Sequence, residues 1–115
     1  ADIIATVCTG SGLLARTGIL DDKEATSNKT AWSWALEQSS KVKWNVEPRW
    51  VDLVDAEAQT GIITSAGVSA GIDMALALIA KLDGDQVAEN ASVIMEYTRL
   101  KDPAKDEFSY LGAKA

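Results

Sequence analysis

The chain has 115 residues, of which 47% are hydrophobic and 24% are charged. These values are typical of one globular domain with a modest core, and they exclude a disordered chain. Eleven basic and 17 acidic side chains give a net charge of −6, which argues against nucleic acid or an anionic membrane as a partner. The sequence contains no apolar run of the roughly 18 residues that a membrane span requires.

The counts of cysteine and histidine exclude an intrachain disulfide and catalytic pairs that contain histidine. The single cysteine cannot form an intrachain disulfide, which favours a reducing compartment, so we expect a cytoplasmic protein while leaving secretion open. Because the chain has no histidine, it can build neither a Ser-His nor a Cys-His pair. It also lacks the usual Cys/His ligands for zinc, and we expect no cofactor.

Strands and helices are predicted to alternate along the chain. Apolar runs rich in β-branched residues predict strands, and apolar residues three or four apart predict helices. In chain order these are a strand at 3–7, a helix at about 10–17, a strand at 24–27, a helix at about 29–39, strands at 42–46, 50–53 and 61–64, a helix at 72–82, and a helix from Asp83 to about 98. This alternation predicts an α/β fold with a mainly parallel sheet. Residues 99–115 are more polar and are predicted to be a surface tail.

The lone cysteine lies between the first predicted strand and the first predicted helix. Cys8 is followed by Gly10 and Gly12, whose small size permits a tight turn. A nucleophile held on such a turn resembles a nucleophile elbow, and the amides at the helix start favour the thiolate over the thiol. Cys8 is therefore a candidate nucleophile, with a buried, unreactive thiol as the alternative interpretation.

A second strand-to-helix turn matches the pattern G-x-S-x-G at Gly67–Gly71. Taken literally, this pattern predicts a serine-hydrolase elbow. Because the chain lacks the histidine of the usual triad, we disfavour Ser69 as a nucleophile and interpret the stretch as a small-residue turn that packs a helix N-terminus tightly against the sheet. The amides of this turn could point into the same cleft as Cys8.

The glycines after Cys8 also match a dinucleotide-binding pattern. Gly10–Ala15 reads G-x-G-x-x-A after a strand, and such a site needs an acidic residue about 20 residues further on. The acidic residues at Asp21, Asp22 and Glu24 come too early and lie in or beside a turn. We therefore disfavour a nicotinamide site.

Seven stretches resemble the ThiJ/PfpI superfamily, and most closely its isonitrile hydratase branch and fungal relatives. The stretches are Val7-Cys8-Thr9-Gly10, Leu13-Leu14-Ala15, Gly18-Ile19-Leu20-Asp21, Ala25-Thr26-Ser27-Asn28-Lys29, Arg49-Trp50-Val51, the run from Ile63 to Leu76, and Met95-Glu96-Tyr97. The resemblance extends from residue 3 to about residue 98 and keeps the order of the family.

This resemblance implies a flavodoxin-like α/β sandwich that is incomplete at its N-terminus. It also implies a cysteine that adds to the carbon of an isonitrile, after which water releases an N-substituted formamide. The implied catalytic residues are Cys8 and Thr9, and the implied oxyanion and pocket residues are Gly10, Ser11, Gly67, Val68 and Ser69. A small electrophile is therefore the expected substrate.

The sequence departs from this family at its beginning. Family domains carry strands and helices before the elbow strand, and these supply an acidic residue close to the cysteine. We therefore expect residues 1–98 to be the C-terminal part of such a domain, completed by a missing N-terminal segment or by a homodimer partner, because an uncovered strand edge is a poor state for a monomer. The alternative functions are a stress or redox sensor that uses Cys8, and the ligand-binding domain of a transcriptional regulator.

Overall fold

Strands and helices alternate over the first 44 residues of the computed structural model, which describes residues 1–113, and two further strands and then three helices follow. The elements are β1 (Ile3–Val7), α1 (Gly10–Ala15), β2 (Glu24–Ala25), α2 (Trp32–Gln38), β3 (Lys43–Trp44), β4 (Trp50–Asp52), β5 (Gly61–Ser65), α3 (Val68–Asp83), α4 (Asp85–Ile94) and α5 (Ser109–Ala113). Across residues 1–113, each helix is too short or too polar to cross a membrane.

The strands form a three-stranded sheet and a separate two-stranded sheet. In the larger sheet the order is β1-β5-β4, with β1 parallel and β4 antiparallel to β5, and in the smaller sheet β2 is parallel to β3. The parallel register pairs Val7 with Ser65, so β1 and β5 end side by side. The turns that follow these two strands therefore start from the same edge of the sheet, where ligands of open α/β sheets commonly bind.

The strand pairings do not test the predicted flavodoxin-like sandwich or the predicted companion segment. Parallel and antiparallel pairs occur together, and the flavodoxin-like sandwich stays a prediction. Within the described residues β1 lies at the edge of its sheet, and the expected companion segment or second copy also stays a prediction.

Helix boundaries differ most from the predictions near small residues and turns. Helix α3 begins at Val68, four residues before the predicted start, because the small residues of the Gly67–Gly71 stretch enter the helix instead of forming a separate turn. Helix α4 ends at Ile94 instead of about residue 98. Glu96 has a φ of 53°, and this left-handed conformation cannot continue a right-handed helix. Helix α5 was not predicted.

The core lies on both faces of β5. Neighbouring side chains of a strand point to opposite faces, and Ile62 and Ile63 belong to two different clusters of buried side chains. The first cluster contains Ala15, Leu20, Ala25, Val42 and Ile62, and the second contains Trp50, Val54, Ile63 and Met74. This arrangement makes β5 the central strand of the domain and fixes the position of the turn that follows it.

The segment after residue 98, predicted as a surface tail, contributes a buried carboxylate. Asp106 is 3% exposed, and its amide donates a 2.7 Å hydrogen bond to the carbonyl oxygen of Glu47. Its Oδ2 lies 3.2 Å from the Nζ of Lys29, which is also buried. Because a buried ammonium requires a compensating charge, this ion pair holds the C-terminal segment against the body of the domain.

Helix α3 packs closely against β1 at Gly71. A Cβ at this position would lie 2.5 Å from Cγ1 and 3.2 Å from Cβ of Val7. We expect Gly71→Ala to lower the free energy of unfolding by about 1–2 kcal/mol in urea titrations, because overpacking outweighs the better helix propensity of alanine. Gly10→Ala is the matched control, since its nearest new contact is Thr6 Cβ at 3.8 Å. An unchanged unfolding midpoint for Gly71→Ala would show that the helix can shift freely.

Candidate active site

The turn after β1 is strained and is held against the end of β5. Cys8 directly follows β1 and has a φ of 60°, a left-handed conformation that costs a non-glycine residue about 1–3 kcal/mol. Its amide donates to the carbonyl oxygens of Ala66 at 2.8 Å and of Ser65 at 3.2 Å. The strand-to-helix turn predicted at Cys8 is therefore present, and it lies beside the segment that joins β5 to α3.

The stretch that follows β2 is joined to the same edge of the sheet. The amide of Thr26 donates a 3.0 Å hydrogen bond to Oγ1 of Thr64, which lies in β5. The hydroxyl of Ser27 donates a 2.9 Å hydrogen bond to the carbonyl oxygen of Cys8. These bonds bring Lys29 close to the sheet edge, although it is distant in sequence from both strands.

A cavity of about 190 Å³ lies at this edge. Its charged lining residues are Lys29, Arg49 and Asp106, and α3 contributes Ser69. Apolar side chains of the C-terminal segment, including Phe108, also line it. The cavity is therefore lined by two hydroxyl-bearing residues, Thr30 and Ser69, by two cations, by a carboxylate and by an apolar wall.

Only part of the predicted site lines this cavity. Gly67 and Ser69 are lining residues. Ser11 is fully buried, and its Oγ lies 2.7 Å from Oγ1 of Thr6, while Val68 is 73% exposed. The predicted site residues outside the cavity lining are Cys8, Thr9, Gly10, Ser11 and Val68. The catalytic roles predicted for Cys8 and Thr9 stay predictions.

Ser69 lies in the first turn of α3, the longest helix of the described chain. The N-cap residue is Gly67, which has no side chain to accept hydrogen bonds from the first-turn amides. The first intrahelical bond runs from the amide of Gly71 to the carbonyl oxygen of Gly67 at 2.9 Å. The preceding amides have no acceptor within the helix and can donate to an oxygen that carries negative charge.

Tyr97 contacts the same turn from the C-terminal side of α4. Its hydroxyl lies 3.4 Å from the carbonyl oxygen of Ser69. Burial raises the pKa of Tyr97 above 10.0, and the nearby carboxylate of Asp73 raises it further. Tyr97 is thus a neutral hydrogen-bond donor beside Ser69 at physiological pH.

The Nζ of Lys29 is surrounded by four oxygen atoms. Its Nζ donates to Oγ1 of Thr26 at 2.9 Å and to the carbonyl oxygens of Pro48 at 3.0 Å and Ser27 at 3.1 Å, and it forms the ion pair with Asp106. Burial lowers the pKa of Lys29 below 10.5, whereas the charge of Asp106 opposes this shift. The resting structure therefore holds a desolvated ammonium on the cavity wall.

Sequence reasoning did not select the charged residues of the cavity. Lys29 carries one available signal, because it is the only charged residue between Glu24 and Glu37. An isolated charge in an uncharged, Trp-containing stretch is a candidate for burial with a partner. Neither Arg49 nor Asp106 carries such a signal, since their partners come from distant parts of the chain.

The chain is similar to proteolytic domains over most of its length. A family model described as the Lon protease (S16) C-terminal proteolytic domain matches residues 2–100. A Lon protease of Brevibacillus choshinensis is 30% identical over 99 residues, a match that covers 84% of this chain. The match covers only 12% of that relative, so the chain spans a small part of its length.

These matches contradict the predicted membership of the ThiJ/PfpI superfamily. They also contradict the predicted isonitrile hydration by a cysteine nucleophile, together with the alternatives of a redox sensor and a regulator's ligand-binding domain. The coarser prediction of an enzyme agrees with a family of proteolytic domains. Short turns of small residues between strand and helix carried much of the resemblance, and close helix–sheet packing can produce them in different α/β families.

Proposed function

Because the chain belongs to the family of Lon protease C-terminal proteolytic domains, we propose that it hydrolyses peptide bonds with Ser69 as the nucleophile. The observation that carries this proposal is the position of Ser69, which lies in the first turn of α3 and on the same cavity as Lys29. A serine in the first turn of a helix that follows a strand is presented at the sheet edge, where a substrate can reach it.

The absence of histidine does not prevent serine chemistry in this cavity. Serine hydrolases include variants in which a lysine replaces histidine as the proton acceptor. Lys29 lines the cavity, and burial lowers its pKa, which is the direction that a lysine base requires. The missing histidine was the reason to disfavour Ser69 as a nucleophile, and a Ser–Lys pair removes that objection.

In the proposed reaction, Oγ of Ser69 attacks the carbonyl carbon of the substrate and its proton passes to the neutral amine of Lys29. First-turn amides of α3 stabilise the oxyanion of the tetrahedral intermediate. Lys29 then returns the proton to the leaving amine, which leaves an acyl group on Ser69. Water attacks this ester, with Lys29 again as the base, and releases the carboxylic acid.

The resting contacts of Lys29 set a condition for this reaction. The four oxygen neighbours of its Nζ favour the ammonium form, so the lysine must lose a proton and exchange one neighbour before it can accept from Ser69. Asp106 is the neighbour that most opposes proton loss, since its negative charge raises the pKa of Lys29. Asp106 therefore determines, through its charge, what fraction of Lys29 is in the neutral form that can accept a proton.

Covalent labelling tests the nucleophile directly. We expect a fluorophosphonate probe to modify Ser69, and peptide mass spectrometry after digestion to locate the adduct there. Cys8→Ala is the matched control, because it removes the other predicted nucleophile and should retain the adduct at Ser69. An adduct elsewhere, or no adduct in a folded protein that hydrolyses peptides, would contradict the assignment of Ser69.

The pH dependence of hydrolysis tests the role of Lys29. We expect kcat/KM to increase with pH as Lys29 loses its proton, with the midpoint below pH 10.5. Asp106→Asn removes the charge that raises the pKa of Lys29, so the midpoint should move to lower pH. A pH–rate profile of both proteins, after circular dichroism has shown that the variant is folded, checks this shift. An unchanged midpoint, or a shift to higher pH, would contradict Lys29 as the base.

A further inference from the structure

Residues 103–112, which we call the C-terminal strap, occupy one side of the cavity. Asp106, Phe108 and Leu111 of the strap line the cavity together with Lys29 and Ser69. The volume that is left measures about 190 Å³. Pockets that enclose a ligand of several chemical groups usually measure about 300–1,000 Å³. The cavity is therefore too small for a peptide of several residues while the strap is docked.

The docked strap also holds Lys29 in the form that cannot accept a proton. Oδ2 of Asp106 lies 3.2 Å from the Nζ of Lys29, and the two side chains are 5% and 1% exposed. The negative charge of Asp106 favours the ammonium, whereas the proposed reaction requires a neutral amine that Ser69 can reach. Detachment of the strap would remove this charge and uncover the lysine.

The strap lies on the surface of the domain, and most of its residues are exposed. The carbonyl oxygen of Pro103 accepts a 2.8 Å hydrogen bond from the amide of Arg49, and the amide of Asp106 donates to Glu47. Detachment hydrates both charges of the buried ion pair, which offsets the loss of their attraction. Because exposed segments open at a lower free energy than the core, the strap can detach while the domain stays folded.

We propose that the C-terminal strap is an autoinhibitory element that must detach before a peptide enters the cavity, an inference that rests on the proposed peptidase function. The strap and the substrate compete for the same space between Lys29 and Ser69. A peptide that binds only the open form shifts the population toward that form. Weaker docking of the strap should therefore increase hydrolysis.

Gly112→Val weakens the docking of the strap at a position outside the cavity lining. Gly112 is buried, and a Cβ there would lie 2.5 Å from Cγ2 of Val46 and 3.1 Å from Cγ of Trp32. Lys105→Gln is the matched control, because Lys105 belongs to the strap but is exposed and does not line the cavity. We expect kcat/KM for a fluorogenic peptide to increase about tenfold in Gly112→Val and to stay unchanged in Lys105→Gln.

Two further measurements report on the strap independently of hydrolysis. Sulfo-N-hydroxysuccinimidyl acetate modifies accessible neutral amines, so Lys29 should react about tenfold faster in Gly112→Val than in the wild type. Lys81, whose side chain is 30% exposed, is the internal reference, and peptide mass spectrometry measures both rates. Native-state hydrogen exchange needs no variant. In the wild type, the amides of Arg49 and Asp106 should exchange together through an opening that leaves the amides of β5 protected.

The outcomes distinguish this inference from the proposed function. Exchange of the Arg49 and Asp106 amides only together with those of β5 would overturn the detachable strap, even if the protein hydrolyses peptides. Equal labelling of Lys29 in the wild type and in folded Gly112→Val would do the same, and faster labelling with unchanged hydrolysis would overturn the autoinhibition. Faster labelling in proteins that hydrolyse no peptide would support the strap and contradict the peptidase.

Discussion

Ser69→Ala should lower kcat for peptide hydrolysis by about a thousandfold or more, because removal of the nucleophile from a serine hydrolase leaves only binding and oxyanion stabilisation. KM should change little, since the hydroxyl forms its covalent bond only during the reaction. Hydrolysis of a fluorogenic peptide by the wild-type and variant proteins measures both constants. The free energy of unfolding should be nearly unchanged, because Ser69 is exposed.

Two control variants test whether the loss of activity is specific to Ser69. Ser33→Ala removes an exposed serine of α2 that does not line the cavity, and its activity should equal that of the wild type. Cys8→Ala should also retain hydrolysis if Ser69 is the nucleophile. Full activity in Ser69→Ala together with a loss in Cys8→Ala would contradict the proposal, and it would place the nucleophile on the strained turn after β1.

Lys29→Met should lower the free energy of unfolding by about 3–5 kcal/mol, because it leaves the buried carboxylate of Asp106 without a counter-charge. Small domains have only about 5–15 kcal/mol of stability in total, so a large share of the variant should be unfolded at modest urea concentrations. Urea titration followed by tryptophan fluorescence measures this loss. The same variant should lack peptidase activity even under conditions in which it is folded.

An exposed ion pair provides the matched control for Lys29. Lys81 lies 3.0 Å from Asp52, but both side chains are 30% exposed, so Lys81→Met should cost about 1 kcal/mol or less. Lys29→Met combined with Asp106→Leu should recover part of the stability lost in the single variant, because no unpaired charge then stays buried. Equal losses of unfolding free energy for Lys29→Met and Lys81→Met would show that the buried ion pair stabilises the fold no more than the exposed one.

Much of the secondary structure could be predicted from the sequence because its signals are local. The β-branched run at Ile3–Val7 and the apolar run in Gly61–Ser65 form strands where expected. The start of α3 was placed four residues too late, since small residues suit both a turn and a closely packed helix. The end of α4 was placed too late because the left-handed conformation of Glu96 has no clear sequence signal.

Some residues of the candidate site could likewise be located from local sequence signals, and others could not. The sequence by itself placed Cys8 on a turn between a strand and a helix, and it placed Ser69 shortly after the end of a strand, because glycine and apolar runs determine such boundaries over a few residues. Only the tertiary structure decided that Lys29, Arg49 and Asp106 join Ser69 around one cavity. The stability of a buried charge depends on partners that are distant in sequence, and local patterns carry no information about which segments fold together.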